Sequence, residues 1–259
     1  MHIFAWYSSR VLANLNGVGP QHTGDTLTSG REGAGVGEAG KPLLASMYRQ
    51  YLADKDSQAF ARRVNGHYLP GSLERLLCSG QRPARRAAAL ALGLVGDFRS
   101  NSVLGQALGD NDRTVRLLAE TALRSVWCRD GRPADRKRLA AVMLFNAERR
   151  HREALASADE LIARAPDLAE AWNQRAIAQF GLQQYHTAAR DCQRAAQLNP
   201  FHFGALAGLG QCYLRLGNDL WALESFRRAL AINRELDGVR SSISMIERRL
   251  EKQNDSEGT

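Results

Sequence analysis

The sequence predicts an all-helical protein, an α-solenoid built from antiparallel helix pairs. Hydrophobic residues make up 44% of the chain and aromatic residues 7%. This low aromatic share, with much alanine and leucine, favours close-packed helices over strands. A 34-residue period relates Ala188 to Ala222 and Ala195 to Ala229, and a 31-residue period lies upstream of it. Each copy of such a period is one unit that buries its apolar face only against a neighbouring unit.

Residues 1–40 precede both periods and carry eight glycines between Gly17 and Gly40. We predict a disordered tail, because a segment without apolar periodicity cannot bury enough surface to offset its ordering entropy. The apolar run Ile3–Tyr7 is too short for an export signal, and no stretch of the sequence is long enough to cross a bilayer. We therefore expect a cytoplasmic protein without membrane contacts, with disorder again at residues 253–259.

Residues 41–130 are predicted to form a helical region. Within it, residues 72–127 hold two copies of the 31-residue period, which relates Leu73 to Leu104. Each copy has the pattern of two helices joined by a polar turn. Asp112 is placed to cap the last of these helices, because its carboxylate can accept from free backbone N–H groups.

These two copies resemble HEAT-like repeats, in particular the short bacterial kind related to bilin-lyase repeats. Residues 85–93 and 110–116 carry the resemblance. In that family an arginine and the aspartates of the turn form a structural ladder between repeats, which implies this role for Arg116, Asp110 and Asp112. Because so short an array cannot stand alone, its ends are expected to pack on neighbouring elements. The resemblance also implies a bacterial protein.

The 34-residue period extends toward the amino terminus, since Ala154 and Pro166 fall in register with Ala188 and Pro200. A last amphipathic segment with apolar residues at helical spacing follows the period and is expected to close the array. The predicted carboxy-terminal domain, residues 131–252, therefore comprises copies at 135–168, 169–202 and 203–236 and a capping helix at 237–252.

These copies resemble tetratricopeptide repeats. Small residues let paired helices approach, larger residues fill the gaps, and a proline ends a helix that it cannot continue. The sequence departs from the family's pattern at Arg175, Ala176 and Arg234. The residues that carry the resemblance are Trp172, Ala188, Ala195, Pro200, Leu209, Gly210, Tyr213, Ala222, Phe226 and Ala229.

The resemblance implies a scaffold that binds a protein or peptide partner. In tetratricopeptide arrays the first helix of each copy lines a concave groove that holds an extended or helical peptide. Ile177 and Phe180 fit core packing between repeats equally well. A clamp for a chaperone's carboxylate is not expected, because only Asn173 suits it. The predicted groove residues are Met143, Asn146, Asn173, Ile177, Phe180, Ala207, Gln211, Leu214 and Arg215.

The sequence offers no motif for catalysis. None of its six histidines lies in an HExxH pattern, and no serine lies in a GxSxG pattern. Its four cysteines are far apart and form no CxxC pair, so they are expected to be buried, reduced thiols rather than zinc ligands or a redox pair. We therefore predict a protein that is not an enzyme and that has no metal and no cofactor.

Two alternatives remain open at the level of the sequence. The HEAT-like part allows an accessory enzyme role, such as that of a chromophore lyase. The net charge of +8 allows weak nucleic-acid binding through arginines, although the charge is spread thinly along the chain and is more typical of solvated helix faces. The sequence identifies neither the partner nor the oligomeric state.

Overall fold

The computed structural model describes residues 43–257, with side chains as far as Lys252. Within that range it contains thirteen α-helices, one short 3-10 turn and no strand. The all-helical prediction is therefore confirmed. The predicted tail at residues 1–40 and the last two residues lie outside the described range.

Six helices form the amino-terminal region, which we define as residues 43–128. Asp56 accepts from the Ala59 N–H at 2.9 Å to cap α2, and Asp112 caps α6 as predicted, accepting from the Val115 N–H at 3.0 Å. The helices α1 and α2 pack on α4. The bounds are α1 Leu43–Asp54, α2 Ser57–His67, α3 Pro70–Ser79, α4 Arg82–Val95, α5 Asn101–Ala107 and α6 Arg113–Cys128.

Seven helices form the carboxy-terminal array, which we define as residues 133–257. Three antiparallel pairs, α7 with α8, α9 with α10 and α11 with α12, stack in sequence order, and α13 packs on α12. The last helix runs beyond the predicted end of the capping helix, to Glu257. The bounds are α7 Pro133–Ala147, α8 His151–Arg164, α9 Ala169–Gly181, α10 Tyr185–Leu198, α11 Phe203–Arg215, α12 Asp219–Ile232 and α13 Asp237–Glu257.

The turns inside the three pairs share one backbone conformation. Arg149, Gln183 and Gly217 occupy the same position of successive pairs and have φ angles of 61°, 62° and 76°. An L-residue in this left-handed region is strained, whereas glycine adopts it without steric cost. The same turn conformation thus occurs three times, and only the third copy has glycine at this position.

Small residues set the spacing of the array's helices. A Cβ atom added to Gly210 would lie 2.5 Å from Cε1 of Phe226, so the helices α11 and α12 approach through a residue without a side chain. Of the ten residues that carry the repeat pattern, Trp172 and Tyr213 are half-buried and Pro200 is exposed. The remaining seven are buried: Ala188, Ala195, Leu209, Gly210, Ala222, Phe226 and Ala229.

One hydrophobic cluster spans both regions. A single cluster of buried side chains runs from Leu44 in α1 through Trp127 in α6 to Ile246 in α13. The helix α6 makes the connection: it contacts α7 and α9 and packs Trp127 against the beginning of α11, with its ring centroid 5.3 Å from that of Phe203. The short amino-terminal array therefore ends on the second array rather than in solvent.

Candidate functional site

The predicted groove is lined by α7, α9 and α11, the first helices of the three pairs. The helix α6 crosses the beginnings of these helices, since Arg124 lies 4.9 Å over the ring of Phe203, the first residue of α11. The fully buried Trp127 stacks on His202 just before that helix, with ring centroids 4.4 Å apart. The helix α6 of the amino-terminal region thus lies against the beginning of α11.

The nine predicted groove residues fall into two sets by their exposure. Phe180, Gln211 and Leu214 are half-buried and Arg215 is exposed, so a ligand can reach them. The other five are at most 6% exposed: Met143, Asn146, Asn173, Ile177 and Ala207.

Asn173 belongs to a buried polar cluster that is centred on Glu170. The Glu170 carboxylate accepts from Asn173 Nδ2 at 3.1 Å and from Gln174 Nε2 at 2.7 Å. Its other oxygen lies 3.0 Å from His202 Nε2. Because the Ala205 N–H donates to His202 Nδ1 at 3.0 Å, the ring proton is on Nε2 and points at Glu170.

Burial opposes the charge of Glu170, but the bonds from His202, Gln174 and Asn173 outweigh it and hold the pKa of this carboxyl below its ordinary value. Glu170 and His202 are at most 2% exposed, so the cluster has an acid and a base but no access for a substrate. Its arrangement is that of a satisfied buried network, which specifies how α9 and α11 meet. Asn173, a predicted groove residue, therefore makes its side-chain bond inside the array.

A second polar chain joins the two regions. Trp127 Nε1 donates to Asn101 Oδ1 at 2.6 Å, and Asn101 Nδ2 donates to Asn199 Oδ1 at 3.0 Å. Asn199 also accepts from the Phe201 N–H at 3.1 Å, which closes the turn between the second and third pairs. In the same place the Phe201 ring lies against Gly105, where any side chain would overlap it. Asn101 and Gly105 thus lie in the contact between the two regions. No sequence pattern indicated this role.

Arginines link the turns of the amino-terminal region. Arg85 makes two bonds to Asp110, at 2.7 and 3.0 Å, and Arg86 makes two bonds to Asp112, at 3.0 and 2.6 Å. Two-bond contacts of this kind between guanidinium and carboxylate are strong and directional. Asp110 and Asp112, which the resemblance implied for a ladder, are thus bonded to the preceding helix pair.

Arg116 lies one period after Arg85 in the sequence and takes a different partner. Its guanidinium contacts the Glu235 carboxylate at 2.6 Å, in the turn between α12 and α13. Burial works against the charge of Glu235, but the bonds from Arg116 and Arg113 hold the pKa of this carboxyl below its ordinary value. Glu235 therefore occupies the place that Asp110 has for Arg85, and the ladder ends on the carboxy-terminal array.

The accessible part of the groove combines an apolar surface with a cation. Phe180 meets the ring of Tyr185 edge-on at 5.2 Å, and the guanidinium carbon of Arg215 lies 5.9 Å from the centre of the Phe180 ring. Met245 on α13 is 51% exposed and lies one repeat period after Gln211. The last helix thus has an exposed side chain at the position that corresponds to Gln211.

The part of the chain that the structure describes contains no group of three or more His, Cys, Asp or Glu side chains placed to hold a metal ion. Among the described helices, none is long and apolar enough to cross a membrane. All four cysteines are free, and Cys192 and Cys212 are buried as expected. Cys78 is exposed on α3, so the expectation of burial is wrong for that thiol.

Comparisons with known proteins agree with the repeat pattern. No protein-family model matches the chain. Over 85 residues, 33% of the chain, it is 39% identical to a TPR repeat-containing protein of Rhizobium etli, of which the match covers 42%. Over 82 residues, 32% of the chain, it is 32% identical to sperm-associated antigen 1 of Rattus norvegicus, of which the match covers 9%. The chain thus spans less than half the length of these curated relatives.

Two solved structures are similar at low identity. One is the complex of the TPR2AB domain of yeast Sti1 with pHSP90, with 18% identity, a TM-score of 0.40 and coverage of 79% of this chain and 88% of that one. The other is MamA from residue 41 onward, from Desulfovibrio magneticus RS-1, with 20% identity, a TM-score of 0.37 and coverage of 76% and 98%. Over about a third of its length the chain is thus similar in sequence to a protein named for its TPR repeats.

Proposed function

We propose that this protein is a non-catalytic scaffold that binds a peptide or protein segment in the accessible part of its concave groove. The observation that carries the proposal is the row of reachable side chains on the first helices of stacked pairs: Phe180, Gln211, Leu214 and Arg215. Repeat arrays use this row for recognition, because the residues between the packing positions are free to match a ligand.

The division of the groove narrows what the ligand contacts. Met143, Asn146, Asn173, Ile177 and Ala207 shape the floor from within, and a ligand contacts Phe180, Gln211, Leu214 and Arg215 directly. The apolar area suits one face of a partner helix, and Arg215 suits a carboxylate beside that face. The burial of Glu170 and His202 supports a binding function over a catalytic one, since a general base must reach its substrate.

The test compares two double variants of matched composition. Gln211→Ala with Arg215→Ala alters the groove, and Gln197→Ala with Arg194→Ala alters exposed positions on the second helix of a pair, α10. Quantitative affinity capture should recover a partner with the wild type and the α10 variant, and much less of it with the groove variant. Both variants should keep the wild-type melting temperature.

An equal yield from all three proteins would refute the groove assignment. Loss of the partner with the α10 variant alone would move the binding surface to the outer face of the array.

A further inference from the structure

Three turns from distant parts of the chain lie side by side and concentrate arginines. They are the turns before α4, before α6 and before α13. Arg85 bonds Asp110, Arg116 bonds Glu235, and Arg234 Nη2 donates to the Asp110 carbonyl at 2.8 Å. The partner of Arg234 is thus a backbone carbonyl. Six other arginines pair with four carboxylates: Arg82, Arg85, Arg86, Arg113, Arg116 and Arg240 with Asp110, Asp112, Glu235 and Asp237.

In these turns most of the carboxylates are largely buried, whereas the outermost arginines are exposed. The side chains of Asp112, Asp110 and Glu235 are only 8%, 13% and 14% exposed, whereas those of Arg82 and Arg113 are both 70% exposed. Among these four carboxylates only Asp237 reaches the surface, where it pairs with Arg240. The outer surface of the three turns is therefore positive. We call Arg82, Arg113 and Arg234 the arginine ridge.

The outermost arginines contribute little to the stability of the fold. Arg82 and Arg113 occupy equivalent positions of the two copies of the shorter period, and each is the first residue of a helix. A cation at a helix amino terminus is opposed by the helix dipole. Their contacts with carboxylates are long, 4.0 Å from Arg82 Nε to Asp112 and 3.4 Å from Arg113 Nε to Glu235, and exposed pairs of this kind add almost no stability.

Arg85, Arg86 and Arg116 already supply the short bonds that join the turns, at 2.6 to 2.7 Å. The two exposed arginines Arg82 and Arg113, which the helix dipole opposes, are therefore not needed for these short bonds. Guanidinium groups with unused donors on a surface suit an anionic ligand, because their planar fork fits a carboxylate or phosphate.

We propose that the arginine ridge binds an aspartate- and glutamate-rich segment of a partner protein. The exposed side chains of the three turns include Gln81, Asn111 and Asp237 beside the arginines, and none of the described ones is aromatic. Single-stranded nucleic acid binding relies on aromatic rings that stack on bases, so the composition favours carboxylates as the ligand. The ridge is separate from the groove residues, and the two surfaces can be tested independently.

The test measures binding of a fluorescein-labelled oligo-glutamate peptide by anisotropy, with oligo-glutamine as the neutral control and oligouridylate as the nucleic-acid control. The ridge variant is Arg82→Gln with Arg113→Gln. The matched variant, Arg152→Gln with Arg194→Gln, removes two exposed arginines from α8 and α10. We expect oligo-glutamate affinity to fall roughly tenfold in the ridge variant and to stay unchanged in the matched variant.

Wild-type affinity should also fall with added salt, and the ridge variant should show the shallower dependence. Equal losses in the two variants would overturn the proposal, because they would report net charge alone. Tighter binding of oligouridylate than of oligo-glutamate would overturn it in favour of nucleic acid. Oligo-glutamate binding and partner capture are measured separately, so failure of the ridge and failure of the groove give different results.

Discussion

The two regions of the molecule join their helix pairs by different physical means. In the amino-terminal region the joining contacts are charged, as in the two-bond pair of Arg85 with Asp110. In the carboxy-terminal array the joining contacts are largely buried: Cys192 and Leu209 belong to a small-residue cluster between the second and third pairs, and His202 contacts the buried Glu170 carboxylate between the same pairs. A packing contact between small side chains recurs whenever the repeat recurs, whereas each arginine also needs a carboxylate in the next turn. For Arg116, the last of these arginines, that carboxylate is Glu235.

The largest expected effect comes from replacing one buried aromatic residue in each setting. Trp127→Ala and Phe226→Ala each remove a side chain that is at most 1% exposed and should each cost about 3–5 kcal/mol through cavity formation. Because Trp127 joins the regions and Phe226 lies inside the array, Trp127→Ala should separate unfolding into two transitions in a denaturant titration. Phe226→Ala should leave one transition. A loss of a few tenths of a kcal/mol in either variant would contradict the packing described.

An effect of intermediate size on the free energy of unfolding is expected when the pH is lowered, and it arises in the amino-terminal region. The bonds from the Arg86 guanidinium hold the pKa of Asp112 at about 2, against the opposing effect of burial. A free aspartate has a pKa of about 3.9, so this carboxylate stabilises the fold above about pH 4. The stabilisation, roughly 2 kcal/mol, is lost as the pH falls toward 2.

The variant Asp112→Asn measures this contribution, since asparagine keeps an oxygen for the helix cap. In denaturant titrations the wild type should exceed the variant by roughly 2 kcal/mol at pH 7, and the difference should shrink toward pH 2. Phe226→Ala serves as the control, because its cost should not depend on pH. A difference between the wild type and Asp112→Asn that stays constant with pH would contradict a contribution from the charge of Asp112.

The smallest effect tests the shared turn of the array. Gly217→Ala should destabilise the fold by about 1 kcal/mol, because alanine is strained at a φ of 76°. Gln183→Gly, at the same position of the preceding pair, should stabilise it by roughly 0.5 kcal/mol, since relief of strain exceeds the added chain entropy. Thermal melts of both variants check the signs. Equal signs would show that the turns are not equivalent.

Much of the array was predictable because its information is local. The apolar spacing of each helix, the glycine at 210 and the prolines at repeat boundaries follow from the geometry of one helix pair, which recurs with each copy of the repeat. The cap at Asp112 was predictable for the same reason, since its acceptor and donor lie within one helical turn of each other.

Accessibility of the groove was not predictable in this way. The repeat pattern assigns Asn173 to a surface that a peptide could contact. It contains no information about where Trp127 packs or about a bond from Asn173 to the Glu170 carboxylate. In the folded chain Asn173 is buried, and its amide donates to Glu170 instead of facing a ligand.

The sequence by itself determined the helices, their pairing and the order of the two arrays, because these depend on residues within one turn or one repeat of each other. The tertiary structure alone decided which of the predicted groove residues are exposed and where the series of arginine–carboxylate contacts ends. Arg116 and Glu235 are 119 positions apart, and Asn101 and Asn199 are 98 apart. No periodicity links such pairs, so only the packing of one array on the other brings them into contact.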